Sequence, residues 1–487
     1  MKILFVTSEA YPLIKTGGLG DVSNSLPNSF VQQGADVRLV LPAYRDVLKS
    51  IDSFRVLGWL NLGMQQEIRV LECQHKDFNM PIWLIDQPAL FDREGNPYTH
   101  PEGYEWKDNP VRFNIFSQAA ALLASDAFKT GWKADVVHAN DWQTGLVHAH
   151  LGHEANPPKR VFTIHNIAYD CQFDFGTFQA LHLPPHWWSM DLGEFYDRFS
   201  MLKAGMVFSD TITTVSPQYA SEIRTPEYGY GYSSILEKYH HKLHGILNGI
   251  DTDTWNPGRD PELKKNYSAS DKGSVILKAK MANKIELLKQ LGANDAESCC
   301  EKPLVGFVGR LVFQKGIDLL LNAIDILLPK HQACFAIIGS GELELEEHLT
   351  NLTRQHPNRV FSYIGYSESL AHQLEAGADV FAMPSRYEPC GLNQLYSLRY
   401  GTPPVVRNTG GLADTVVQTD AESLKNNAAT GFLFDEPSAQ ILADTISYAL
   451  SYYDNKAVWQ RLVKNCMKQD FSWDHSAAAY LELFDQT

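Results

Sequence analysis

No run of about 18 consecutive apolar residues occurs in the 487-residue chain, so a membrane-spanning helix is not expected. The N-terminus has Lys2 followed by a strand-like segment, without the longer apolar core and cleavage site of a secretory signal. Cations are in short supply, 42 Lys and Arg against 57 Asp and Glu, for a net charge of −15. That balance argues against a nucleic-acid or membrane surface. It also means that an anionic ligand must be met by a local gathering of basic side chains. Seven cysteines show no CxxC spacing and no even framework, which reads as reduced thiols in a cytoplasm. The adjacent pair Cys299 and Cys300 sits in the polar stretch ANDAESCCEKP and is expected to be a bystander.

What the chain does have is a regular alternation of short apolar runs with helical patterns. Strands are predicted at KILFVT, VRLVLP, PIWLID, DVVHAN, RVFTIH and TITTVS in the first half. The second half supplies PLVGFVGR, CFAIIG, VFSYIG, DVFAMP, PPVVRN and GFLFD. Helical patterns such as NPVRFNIFSQAAALLASDAF and GIDLLLNAIDILLP lie between them. This alternation predicts parallel, doubly wound α/β sheets. About a dozen strands are too many for one comfortable sheet, so two sheets in two domains are expected. The turn-rich GILNGIDTDTWNPG marks the boundary, giving an N-terminal domain 1–248 and a C-terminal domain 249–471. The amphipathic terminal segment 472–487 is expected to pack back on the first domain.

KTGGLGDV at residues 15–22 and NTGGLADTV at 408–416 each follow an apolar run and open a helix. Both read as equivalent strand-to-helix turns in two similar domains. A glycine pair lets the backbone approach a phosphate, whose charge the following helix N-terminus favours. The plainer alternative is a tight turn that needs glycine for its own backbone angles. Neither stretch is the GxGxxG of a dinucleotide enzyme nor the GxxxxGK[ST] of a P-loop, which weakens dehydrogenase and kinase readings. No Asp-x-Asp or histidine cluster of metal-ligand spacing accompanies either loop, so no metal and no cofactor are expected.

KTGGLGDV, HANDWQTGL, TIHNIAY, LNGID, GRLVFQKG, PSRYEPCGLNQLYSLRYGTPPVVRNTGGLADTV and DFSWDHSA occur in this order from end to end of the chain. Together they resemble the bacterial glycogen synthases and plant starch synthases, retaining enzymes that extend an α-1,4-glucan from ADP-glucose. The resemblance implies two facing Rossmann-like domains of the B-type glycosyltransferase architecture, with a deep interdomain cleft. The acceptor glucan falls mainly to the first domain and the nucleotide sugar to the second. It also implies roles for particular residues. Lys15, Gly17 and Gly18 match the first donor-phosphate loop, and Arg310 and Lys315 the pair that neutralises the leaving diphosphate. Glu388 matches the acidic residue beside the donor sugar, with Cys390, Gly391, Leu392, Asn393, Thr409 and Gly410 completing the donor loops. His165 and Asn248 match groups against the transferred glucose, and Tyr366 the residue stacking on the base. Asp21, Tyr98, Asp141 and Asn166 correspond to the acceptor side, Asp21 with a catalytic role.

Two departures from the family pattern are visible. Asn140-Asp141-Trp142-Gln143 stands where bacterial members commonly read His-Asp-Trp-His, and Asn393 replaces a threonine of some members. Retention could follow from double displacement through a carboxylate or from attack on the face the leaving group departs. The competing functions are a UDP-glucose-dependent transferase, a sugar phosphorylase with lysine-bound pyridoxal phosphate, and a non-catalytic glucan-binding protein using Trp187 and Trp188. Retention of Lys15, Arg310 and Lys315 speaks against the last, and an absorbance spectrum would decide the phosphorylase. The expected partners are ADP-glucose and an α-1,4-glucan, with neither nucleic acid nor membrane.

Overall fold

The computed structural model describes residues 1–62, 67–152 and 157–486. They form two compact units. Unit 1 comprises Met1–Gly249 and the C-terminal helix, and unit 2 is Ile250–Ser472. The first crossing falls inside the turn-rich GILNGIDTDTWNPG stretch.

Unit 1 is built on a nine-stranded sheet. Its order is Leu243–Gly245, Thr211–Thr214, Lys159–Ile164, Val136–Asn140, Lys2–Val6, Asp36–Pro42, Ile82–Asp86, Glu67–Cys73, Phe54–Asn61. The central strands are almost wholly buried and rich in β-branched and aliphatic residues, as expected of parallel strands covered on both faces. Beyond the expected parallel strands the sheet adds an antiparallel one: Glu67–Cys73 runs against both its neighbours, Ile82–Asp86 and Phe54–Asn61. The outermost strand is mostly exposed and its register shifts between Val56 and Gly58, so it shows neither a buried run nor strict alternation. A small antiparallel sheet of Gln172–Phe173, Arg198–Ser200 and Glu194–Phe195 also lay below the sequence signal.

In unit 2 six parallel strands run in the order Val360–Ile364, Cys334–Gly339, Leu304–Val308, Val380–Met383, Pro404–Arg407, Phe432–Phe434. Each sheet reverses its winding direction once. In unit 1 the reversal lies between Lys2–Val6 and Val136–Asn140, and in unit 2 between Leu304–Val308 and Val380–Met383. Loops leaving the carboxyl ends of such strand pairs diverge and leave a crevice, the usual ligand position in open α/β sheets.

The C-terminal helix Trp473–Gln486 buries Trp473, Ala477, Tyr480 and Phe484, one face of a helical repeat. Tyr480 and Phe484 meet Phe30 at ring distances of 6.1 and 5.7 Å. Phe30 belongs to helix Gly18–Gln32, which begins at the KTGG loop. Residue 487 of the expected terminal segment lies outside the described residues.

Candidate active-site loops

At the unit 1 reversal, the loop after Lys2–Val6 is organised by a residue that sequence reasoning missed. Glu9, 3% exposed, accepts the Thr16 N–H at 2.5 Å and the Gly17 N–H at 3.0 Å on Oε2, and the Tyr98 hydroxyl at 2.6 Å on Oε1. Burial raises its pKa against the pull of these donors. The Gly17 N–H, expected to face a phosphate, is therefore engaged by Glu9. Lys15 is paired too, its Nζ 2.8 Å from Asp21 Oδ1 and 5.3 Å from the Tyr11 ring centre. Tyr98 reaches this loop from a distant segment and also lies 2.8 Å from Ser8 Oγ.

The two TGGL copies are not equivalent, contrary to expectation. Eleven residues, 7 to 17, separate the first helix from its strand, whereas only Asn408 and Thr409 separate the second. A Cβ on Gly17 or Gly18 would meet nothing within 4 Å, so packing does not demand glycine there. On Gly410, at φ 45°, it would come within 1.9 Å of the Glu388 carbonyl oxygen, and on Gly411 within 2.1 Å of that of Cys390. The second pair is glycine because the Glu388–Cys390 backbone crosses it. At the first pair no backbone crosses so closely.

After Val136–Asn140, Asp141 adopts φ 56° and ψ −179°, a conformation that a non-glycine residue holds only when its surroundings impose it. Its carboxylate accepts the His165 N–H at 2.7 Å and the Asn166 N–H. Burial lifts the Asp141 pKa to about 7 and drops that of His165 to about 3. The imidazole is therefore neutral at physiological pH. Asn140 donates through Nδ2 to the Val6 carbonyl, so its Oδ1 faces His165 Nε2 at 2.9 Å. His165 must then carry its proton on Nε2, leaving Nδ1 as an acceptor. The departure at position 140 is thus the residue that sets the histidine tautomer. Asn248 is buried, and its Oδ1 has no hydrogen-bond partner among the described residues.

At the unit 2 reversal the loop after Leu304–Val308 carries Arg310 and Lys315, and the loop after Val380–Met383 carries Glu388. Lys315 Nζ is 2.6 Å from Glu388 Oε2, which also accepts the Ser385 hydroxyl at 2.9 Å. The expected diphosphate cation and the expected sugar-side carboxylate are one ion pair, with Glu388 5% exposed. Gly316, at φ 66°, lets the two loops touch: a Cβ there would sit 2.0 Å from the Pro384 carbonyl oxygen. Arg386 clamps the same junction with two 2.7 Å bonds to Asp318 and its guanidinium 3.5 Å from the Phe313 ring centre.

Arg310 is exposed, with one long 3.5 Å bond to Gln314. Asn393, opening a seven-residue helix behind Leu392, donates to the Val308 carbonyl at 2.7 Å. Cys390 is buried, Gly391 has φ 73°, and Thr409 immediately precedes helix Gly410–Thr415. Tyr366 is 76% exposed, its hydroxyl donating to Glu368. Trp187 is only 2% exposed, and Trp188 packs edge-on against Phe175 and Phe178. The glucan platform proposed for that pair is therefore not built.

Signals for the missed residues were weak. Glu9 is a single acid after a strand in TSEA, and only the fold brings Tyr98 to it. Among the described residues no cluster of His, Cys, Asp or Glu could hold a metal ion, and no helix is long and apolar enough to cross a membrane.

Comparison with known proteins gives a consistent result. The family model described as starch synthase catalytic domain matches residues 2–238, and that of glycosyl transferases group 1 matches 295–465. The glycogen synthase of Hydrogenovibrio crunogenus is 50% identical over 490 residues, covering 99% of both chains. That of Thioalkalivibrio sulfidiphilus is 47% identical with the same coverage. Among solved structures, the catalytic domain of starch synthase IV from Arabidopsis thaliana bound to ADP and acarbose superposes with a TM-score of 0.86. It is 33% identical, over 99% of this chain and 98% of that one. Sucrose-phosphate synthase of Thermosynechococcus elongatus, at 16% identity and a TM-score of 0.57, shares the fold.

Proposed function

The chain belongs to the glycogen synthase and starch synthase family of glycosyltransferases, and we propose that it moves glucose from ADP-glucose to the non-reducing end of an α-1,4-glucan with retention. The observation that carries this reading is the 50% identity to a glycogen synthase along 99% of both chains. Unit 2 is read as the donor half and unit 1 as the acceptor half. The ADP in the starch synthase IV structure supports an adenine nucleotide.

In the proposed reaction the bond from glucose C1 to the β-phosphate oxygen breaks, and its electron pair moves onto that oxygen. The glucan O4 attacks C1 on the same face, and its hydroxyl proton passes to the departing phosphate. Arg310, Lys315 and Lys15 meet the growing phosphate charge, and no metal ion or cofactor is assigned to that task. Glu388 lies within the Lys315 and Ser385 hydrogen bonds, a setting for balancing positive charge at the sugar rather than for a free nucleophile. A neutral His165 can accept a sugar hydroxyl at Nδ1 without placing a second positive charge beside the oxocarbenium-like centre. Seven thiols, none in a disulfide, suit a cytoplasmic enzyme.

The test is to incubate the protein with ADP-glucose or UDP-glucose and a maltooligosaccharide, following nucleotide release and chain length, with and without EDTA. Release of ADP with lengthened chains, indifferent to EDTA, is expected. Faster turnover with UDP-glucose, or silence in EDTA, would overturn the donor or the metal-free assignment respectively.

A further inference from the structure

Two segments, the KTGG loop and the loop of Tyr98, which lies 89 residues beyond Glu9, close on the same side chain. Glu9 spends one carboxylate oxygen on the Thr16 and Gly17 N–H groups and the other on the Tyr98 hydroxyl. Among the described residues no cation pairs with it: Lys15, the nearest in sequence, turns to Asp21. A carboxylate buried at 3% exposure among donors alone is costly, and a neutral core residue would hold the strand end as well. What no neutral residue can do is accept the Thr16, Gly17 and Tyr98 donors together, since its one carbonyl oxygen has two lone pairs.

We infer that Glu9 is a positioning residue that ties the donor-phosphate loop to the acceptor tyrosine, so that one carboxylate sets both binding functions of unit 1, an inference resting on the glucosyl-transfer reading above. The two functions separate in Glu9→Gln. Its amide oxygen turns toward the two backbone N–H groups, since pointing the NH2 at them would leave two donors unsatisfied. The NH2 then faces Tyr98, whose hydroxyl must accept instead of donate. Tyr98→Phe disturbs the same half only. Glu9→Ala removes both.

The experiment compares KM for ADP-glucose and for a maltooligosaccharide in wild type, Glu9→Gln, Glu9→Ala, Tyr98→Phe and the Gln/Phe double variant. Calorimetric binding of ADP and thermal midpoints are measured alongside. In Glu9→Gln and Tyr98→Phe the acceptor KM should rise by about tenfold while donor KM and ADP affinity stay within about twofold. The double variant should lose less than the sum of the two single losses, because both changes act on one contact. Glu9→Ala should raise both KM values and weaken ADP binding. Should it fail to fold, the Gln and Phe variants decide alone. Additive losses in the double variant, or a Gln variant that loses donor and acceptor binding alike, overturn the inference. A wild type that binds ADP without transferring glucose overturns the functional reading instead, and the ADP affinities of the Gln and Ala variants still test the loop half.

Discussion

At the scale of single residues, Lys315 and Glu388 cannot be varied independently. Lys315→Ala leaves the buried Glu388 carboxylate with only the Ser385 hydroxyl, a loss on the order of 2–3 kcal/mol in stability as well as activity. Arg310→Ala removes an exposed side chain, so the fold should stand while turnover falls about a hundred- to a thousandfold. Glu388→Gln should lower turnover severely with a smaller effect on donor KM. Thermal midpoints with steady-state kinetics check all three, and an unshifted midpoint in Lys315→Ala would refute the pairing. Asp141 and His165 make opposite contributions to pH dependence. Asp141 is raised to about 7, so the folded state holds its proton more tightly, and its contribution to stability declines as pH rises toward 7. His165 is lowered to about 3, so the unfolded state holds its proton more tightly, and its contribution grows as pH rises toward 6.5. The two slopes oppose each other in the overlap. Asp141→Asn should therefore gain stability with pH between 4 and 6.5 more steeply than wild type, read from melting curves across that range. Arg310, Lys315 and Glu388 were visible in the sequence because their motifs are long. Glu9 and Asn140 were not, because each acts on a side chain that only the fold brings near.

At the scale of elements, the two glycine pairs make a controlled comparison. Gly18→Ala meets open space at a helix start, where alanine suits the backbone better, so the melting point should hold or rise slightly while donor KM increases. Gly410→Ala combines φ 45° with a 1.9 Å approach to the Glu388 carbonyl, so the helix or the Glu388 loop must move. Its stability should fall by roughly 1–3 kcal/mol and its turnover with it. If the Gly18 variant proved the less stable of the two, the first pair would be a turn requirement after all. The same contrast explains what the sequence could convey. Buried parallel strands announce themselves as apolar runs, and all twelve predicted ones are present. The strand Phe54–Asn61 stayed hidden because a bulged, exposed edge carries no such run. Turn chemistry was legible as glycine, but not whether a ligand or a crossing backbone required it.

For the whole molecule, the alternating pattern was enough to give two α/β units, since each strand–helix repeat specifies its own neighbours. The return of the last helix to unit 1 joins Tyr480 and Phe484 to Phe30, on the helix that starts at the KTGG loop. Deleting residues 473–487 should lower the melting point of unit 1 and raise donor KM, while unit 2 retains its protease resistance. Limited proteolysis of the truncated chain checks this, and equal loss in both units would count against it. The arrangement also has a consequence for biosynthesis. Unit 2, residues 250 to 472, is spliced into unit 1, so a ribosome finishes the first unit last. At ordinary elongation rates the Phe30 surface waits roughly 10–45 s, while unit 2 is made, before its cover emerges. During that interval the nascent chain displays an apolar face that Tyr480 and Phe484 will later close.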